Sequence, residues 1–146
     1  LIDDGKQREI LRKKIYQNNN KNLLLNEELI SKSSLEYLSK KGGIIIQKSV
    51  LISSKVKINE GVKIHIGSQI HHGVSIDKYS TISPASVILG NVKIGKYSFI
   101  GANSTIRQNI KIGNNCVIGA GSVVVKNVKD GETVVGNPAT KINYKK

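Results

Sequence analysis

From residue 46 to residue 124, one aliphatic residue returns at every sixth position. Stepping by six from Ile46 gives Ile52, Ile58, Ile64 and so on through Ile118 to Val124, fourteen positions that are all β-branched. Two residues before each runs a second series, small or β-branched throughout: Val50, Val56, Val62, Ser68, Val74, Ser80, Ser86, Val92, Ser98, Ser104, Ile110, Cys116 and Ser122. A period of six matches neither the 3.6 residues of a helix nor the two-residue alternation of a half-buried strand. It predicts short strands joined by tight corners, each block turning one aliphatic side chain inward. Three blocks close one triangular coil, so residues eighteen apart stack, and nearly five coils fit between Ile46 and Val124 without an insertion. The isoleucines are therefore core, and the small second series keeps the prism from overpacking.

Composition narrows the class further. Aromatics are 4% and Trp is absent, so a core built on large rings is excluded, while 38% apolar residues is too many for a disordered chain. The single cysteine, Cys116, excludes a disulfide framework and a multi-cysteine zinc site and fits a reducing compartment. No apolar run approaches the ~18 residues of a membrane span. The opening LIDDGKQREI has no signal-peptide apolar core, which predicts a cytoplasmic protein, and the missing initiator Met predicts a fragment or a processed chain. A net charge of +13 would suit a polyanion, but 20 of the 23 cations are scattered lysines in a chain also rich in Asn and Ile. Without an aromatic-interleaved basic patch, that charge predicts no nucleic-acid partner.

Residues 1–43 lack the repeat and read as a partial α/β segment. Residues 6–18 predict an amphipathic helix with Ile10, Leu11 and Ile15 inward, ended by Asn18, Asn19 and Asn20. A strand-turn segment follows in NLLLNEELI, then a short helix in SSLEYLSKK capped by Ser33 or Ser34.

Over about residues 44–142 the chain resembles the hexapeptide-repeat acyltransferases, which form left-handed parallel β-helices. The resemblance rests on QIHHGVSIDKYSTISP, on ILGNVKIGKYSFIGANSTI and above all on the ending IGAGSVVVKNVKDGETVVGNPATKI, where GNPA follows a GAGS coil. Within that family it is similar to bacterial sugar acetyltransferases of the sialic acid O-acetyltransferase and bacillosamine-type N-acetyltransferase group. The likeness implies an all-β left-handed β-helix over 44–142, preceded by what looks like the end of a nucleotide-sugar-binding domain. No phosphate-binding glycine motif survives in that segment, so either the chain is truncated or the acceptor is held differently.

The same likeness implies acetyl transfer from acetyl-CoA, without a metal, to an amine or hydroxyl of a sugar, most simply a nucleotide-linked amino sugar of surface glycan synthesis. His72, two residues after the inward Ile70, takes the place of the family's general base, since a protonated amine or neutral hydroxyl attacks a thioester poorly. Gly90, one coil later, takes the place of the residue whose N–H faces the thioester oxygen. His65 and His71 fall near the acceptor. Pro84, Ala102, Ala120 and Pro138 are eighteen apart, and this column is expected to line the coenzyme groove, with Lys126 and Lys141 as phosphate partners. Where the family carries Asp or Glu after its base this chain has Gly73, so a carbonyl, Asp77 or a residue of another subunit is expected to stand in. Thr81 replaces a second histidine often found near the thioester. A prism filled with isoleucine has no internal pocket, and the family's threefold packing implies a homotrimer with the site between subunits.

Two other readings belong beside this one. A metal hydratase of the γ-carbonic-anhydrase type needs three converging imidazoles, whereas His65 and His71 are six apart and fall on different corners. A non-catalytic β-helix binding or structural paralogue draws its support from Gly73 and the short N-terminal segment.

Overall fold

A computed structural model describes residues 42–143. The helices and strand expected before Gly42 lie outside the described residues. Within them the repeat folds as read: two-residue strands recur every six residues from Ile45–Ile46 to Val123–Val124, each ending on the inward aliphatic. All fourteen of those side chains, and all thirteen of the second series, are buried.

The strands sort into three parallel sheets, the faces of a prism. The first face begins with Ile45–Ile46, Lys63–Ile64 and Thr81–Ile82; the second with Leu51–Ile52, Gln69–Ile70 and Val87–Ile88; the third with Lys57–Ile58, Ser75–Ile76 and Lys93–Ile94. Register is eighteen residues throughout these ladders, as in Ile46 against Ile64 and Ile70 against Ile88. From Ile64 to Ile118 each inward isoleucine is thus stacked between two other β-branched side chains. Full burial of such a side chain contributes about 1.5–3 kcal/mol, so the columns carry most of the stability.

The inward serines form a second internal system. Ser80 Oγ donates to the Gly95 carbonyl at 2.7 Å and accepts the Ser98 N–H at 3.1 Å, and Ser98 repeats the pattern with Gly113 and Cys116. Their hydroxyls are buried without being left unpaired. Cys116 occupies a rung of this ladder with Sγ 3.0 Å from the Lys129 carbonyl, and burial raises its pKa above the ordinary thiol value. Because the thiolate is the reactive form, Cys116 should be silent to a disulfide reagent at neutral pH in the native protein. One equivalent should react after denaturation, and a rapid native reaction would show that the ladder opens.

Corner geometry follows its own six-residue rhythm. Every sixth residue from Gly43 to Gly121 has a positive φ, between 54° and 70°. Gly or Asn fills nine of these fourteen corners, the residues for which the left-handed region is least costly. The others include Ala85 and Tyr79, so the coil imposes this conformation even on residues that disfavour it.

The count breaks once. Ile112 bridges to Val128 and Ile118 pairs with Val134, sixteen residues on, so the corner after Val124 is two residues short. Thr133–Val135 closes the first face and Thr140–Ile142 turns back antiparallel along it. Pro138 sits in that reversal, so the expected eighteen-residue column ends at Ala120 instead of continuing to Pro138.

Candidate active site

Each face-to-face corner stacks into a long edge of the prism, and the edges sort the candidate residues. The edge from second to third face carries His71, His72, Gly90 and Lys126. The edge from first to second face carries His65, Pro84, Ala102 and Ala120. One whole face separates the two groups. His65 and His71, as expected, do not converge. Thr81 is buried on the outside of the first face, again away from His72.

His72 is exposed, while Gly90 beneath it is buried. The two coils are tied by the Asn91 N–H, which donates to the His72 carbonyl at 2.9 Å. Only the missing side chain of Gly90 lets the imidazole lie there: a methyl at residue 90 would stand 2.6 Å from His72 Nε2 and 2.7 Å from Cε1. Nε2 thus faces the Gly90 backbone, whose N–H has no hydrogen-bond partner among the described residues. A nitrogen able to take a proton and an N–H able to stabilise an oxyanion therefore share one spot on the surface. The N–H groups of Ala102 and Ala120 are likewise without protein partners among the described residues.

Gly90 lies outside the left-handed region, so alanine is compatible with its backbone, and the atoms in conflict belong to the tip of an exposed side chain. Gly90→Ala should keep the thermal midpoint within a few degrees yet displace the imidazole. The expected loss of transfer is about 10²-fold, the size of removing one oxyanion donor or its partner base. Activity near that of the unsubstituted protein would separate Gly90 from the chemistry.

Asp77 does not take the place of the carboxylate missing at Gly73. It lies on the edge from third to first face, accepting from Asn59 Nδ2 at 3.1 Å and from the Lys78 N–H at 2.8 Å. All four carboxylates of the described residues, Glu60, Asp77, Asp130 and Glu132, stand along that edge. Lys141 is drawn to the same side, its ammonium 3.2 Å from Glu132 Oε1. A phosphate would have to compete with that carboxylate.

Sequence reasoning missed a cleft. The shortened corner after Val124 opens a space of about 530 Å³ lined by Arg107, Gln108, Asn109, Ile110, Val125, Lys126 and Asn127. It lies on the His72 edge, further along the coils, and sets Arg107 beside Lys126. The signal was legible: the next hexad position is Asp130, where an aliphatic would continue the count.

Residues 91–126 match the bacterial transferase hexapeptide family, described by six repeats. No curated protein sequence matches the chain. Among solved structures, the acetyltransferase domain of PglB from Neisseria gonorrhoeae superposes with a TM-score of 0.85 at 25% identity, over 95% of this chain and 67% of that one. That domain has also been solved with acetyl coenzyme A. GDP-perosamine N-acetyltransferase from Caulobacter crescentus, solved with CoA and GDP-perosamine, gives 0.87 at 22% identity, over 97% and 66% of the two chains. AntD, an N-acyltransferase from Bacillus cereus, gives 0.66 at 22% identity over 70% of each. The chain thus spans about two thirds of the length of the first two structures. Repeat and coil register define it as a hexapeptide-repeat parallel β-solenoid. In fold it is similar to these bacterial acetyl- and acyltransferases.

Proposed function

We propose that this protein transfers the acetyl group of acetyl-CoA to an amine, or less readily a hydroxyl, of a nucleotide-linked amino sugar. The observation that carries the reading is the imidazole of His72 resting on Gly90, with Nε2 beside an unpartnered N–H. His72 Nε2 takes a proton from the acceptor nitrogen as that nitrogen bonds to the thioester carbonyl carbon. The Gly90 N–H stabilises the oxyanion, and collapse breaks the C–S bond, the sulfur leaving with the proton held by His72. The molecules bound in the solved relatives, acetyl coenzyme A in one and GDP-perosamine in another, support this choice of substrates. The reading places the chemistry in the cytoplasm, where acetyl-CoA is made.

One chain offers only half of such a site. Outward positions of the second face are Leu51, Gln69, Val87, Thr105 and Val123, none charged, whereas the third face presents Lys57, Lys93 and Lys111. Leu51 on the second face and Ile66 at its border are 43% and 40% exposed, unusual for large apolar side chains. Turning three second faces toward a common axis covers them. It also sets the His72 edge of each copy against the Ala102–Ala120 edge of the next. The coenzyme then lies between copies, its thioester at Gly90, its amides against Ala102 and Ala120, and its phosphates near Arg107 and Lys126. His65 and His71 approach the acceptor from opposite walls. Light scattering at micromolar concentration should return about three times the 15.9 kDa chain mass. A monomer with full activity would remove the shared site.

The deciding experiment measures free-thiol release from acetyl-CoA against a panel of UDP- and dTDP-amino sugars, free sialic acid and simple amines. Release with an amino sugar supports the reading. Tight acetyl-CoA binding with no transfer to any acceptor would favour a non-catalytic β-helix paralogue.

A further inference from the structure

The cations of this chain are scattered along the sequence, but the coil gathers a group of them on one side. Lys57, Lys93 and Lys111 all occupy the outward position of the third face, and all three are exposed. Register sets them in one row: Lys57 beside Ser75, Ser75 beside Lys93, and Lys93 beside Lys111, on strands about 4.8 Å apart. Arg107 and Lys126 continue the group on the adjoining edge, the one that carries His72 and Gly90. None of the five makes an ion pair among the described residues.

Nothing acidic balances them. The carboxylates of the described residues stand on the opposite border of the third face, and each has a partner there. Glu60 pairs with Lys78 at 3.3 Å and Glu132 with Lys141 at 3.2 Å, while Asp77 and Asp130 accept from Asn59 and Asn114. Nor does the fold ask for the row. Lys93 and Lys111 are directly opposite on neighbouring strands, where like charges destabilise a sheet, and Ser75 shows that the same position takes a neutral residue. The second face, by contrast, has no charged outward residue. In the threefold arrangement the second faces turn inward, which leaves the third face open to solvent beside the shared groove.

A patch of one sign bordering a site raises the local concentration of an oppositely charged substrate and its rate of arrival, by about 10- to 10³-fold when the whole field acts. Both substrates of the proposed reaction carry phosphates. We propose that the third face is an electrostatic capture surface for phosphate-bearing substrates: Lys57, Lys93 and Lys111, with Arg107 and Lys126, draw them to the His72 edge. The lysines of the row act before the reacting groups meet and hold neither of them. This rests on reading the substrates as a coenzyme thioester and a nucleotide-linked sugar, so its test reads binding before turnover.

Association of a fluorescent etheno-adenine analogue of coenzyme A with the full chain is followed by stopped flow. The salt concentration runs from about 0.01 M to about 0.1 M, over which the screening length shortens from about 30 Å to about 10 Å. Lys93 and Lys111 are replaced together by Gln, and together by Arg. At the lower salt the Gln pair should slow association about fivefold and change dissociation less than about twofold, and the gap should narrow at the higher salt. The Arg pair should keep the unsubstituted rate, because it keeps the charge. The Gln pair should melt no lower than the unsubstituted chain, since it loses a like-charge contact. In turnover it should lower kcat/KM for acetyl-CoA by the same factor, yet leave it unchanged for the acetyl thioester of N-acetylcysteamine, which has no phosphate.

An association rate that the Gln pair leaves unmoved at the lower salt would overturn the proposal, and so would an equal loss with the phosphate-free thioester. Binding to vesicles of anionic phospholipid that the Gln pair abolishes, with coenzyme association unchanged, would give the row to a membrane surface and overturn it likewise. Charge-dependent association without transfer to any amino sugar would sink the catalytic reading and leave the capture surface standing. Transfer with charge-independent association would do the reverse.

Discussion

Replacing His72 by alanine is expected to slow acetyl transfer about 10²–10⁴-fold, the range that a positioned general base contributes. The protein should otherwise be almost unchanged. His72 is exposed at a corner, its ring makes no hydrogen bond among the described residues, and the coil-to-coil bond at this place uses its backbone carbonyl, which alanine retains. The melting temperature and acetyl-CoA binding should therefore match those of the unsubstituted chain while the thiol-release rate collapses. His71→Ala is the internal control. Its N–H is bonded to the Ile88 carbonyl at 2.9 Å, which alanine also preserves, and its ring is not the one resting on Gly90. Transfer by His72→Ala within threefold of the unsubstituted rate would take His72 out of the chemistry.

The core was legible in the sequence because one rule generates it. A side chain that must point inward every six residues leaves a mark no competing force erases, and Ile46 through Val124 keep that mark without exception. The pairing of His72 with Gly90 was legible for the same reason, since eighteen residues is one coil. What escaped lies where that rule lapses. Beyond Val124 the corner loses two residues, so Pro138 left its expected column and the cleft beside Arg107 appeared. A hexad count assigns residues to edges but does not tell which way a corner amide turns, as at Asn91, whose Nδ2 donates to Asn109 Oδ1 one coil on. Asp77 failed as a partner for His72 because five residues along the sequence is a whole face around the prism.

Ile94→Asp is expected to abolish folding outright, and Lys93→Asp, one residue earlier, to be harmless. Both residues lie in the strand Lys93–Ile94 of the third face, but the pleat sends them to opposite sides. Ile94 is 2% exposed and stacks between Ile76 and Ile112. Its surroundings inside the prism are aliphatic, and no cation shares that column. Burying a polar group there without a partner costs several kcal/mol, and a charged one more. A domain of this size has about 5–15 kcal/mol of stability in all, so the coil cannot absorb the loss. Nor can it yield locally, since each coil closes on the one below and a defect in the third face opens the neighbouring faces with it. Ile94→Asp should yield insoluble protein or a chain without strand circular dichroism. Lys93 points into solvent beside Lys111, so an aspartate at residue 93 replaces a like-charge neighbour with an opposite one, worth at most about 1 kcal/mol in favour. Soluble yield and the thermal midpoint of the two variants measured together decide the matter. A folded, merely inactive Ile94→Asp protein would mean that the side chain faces outward, and every inward assignment built on the six-residue count would move with it.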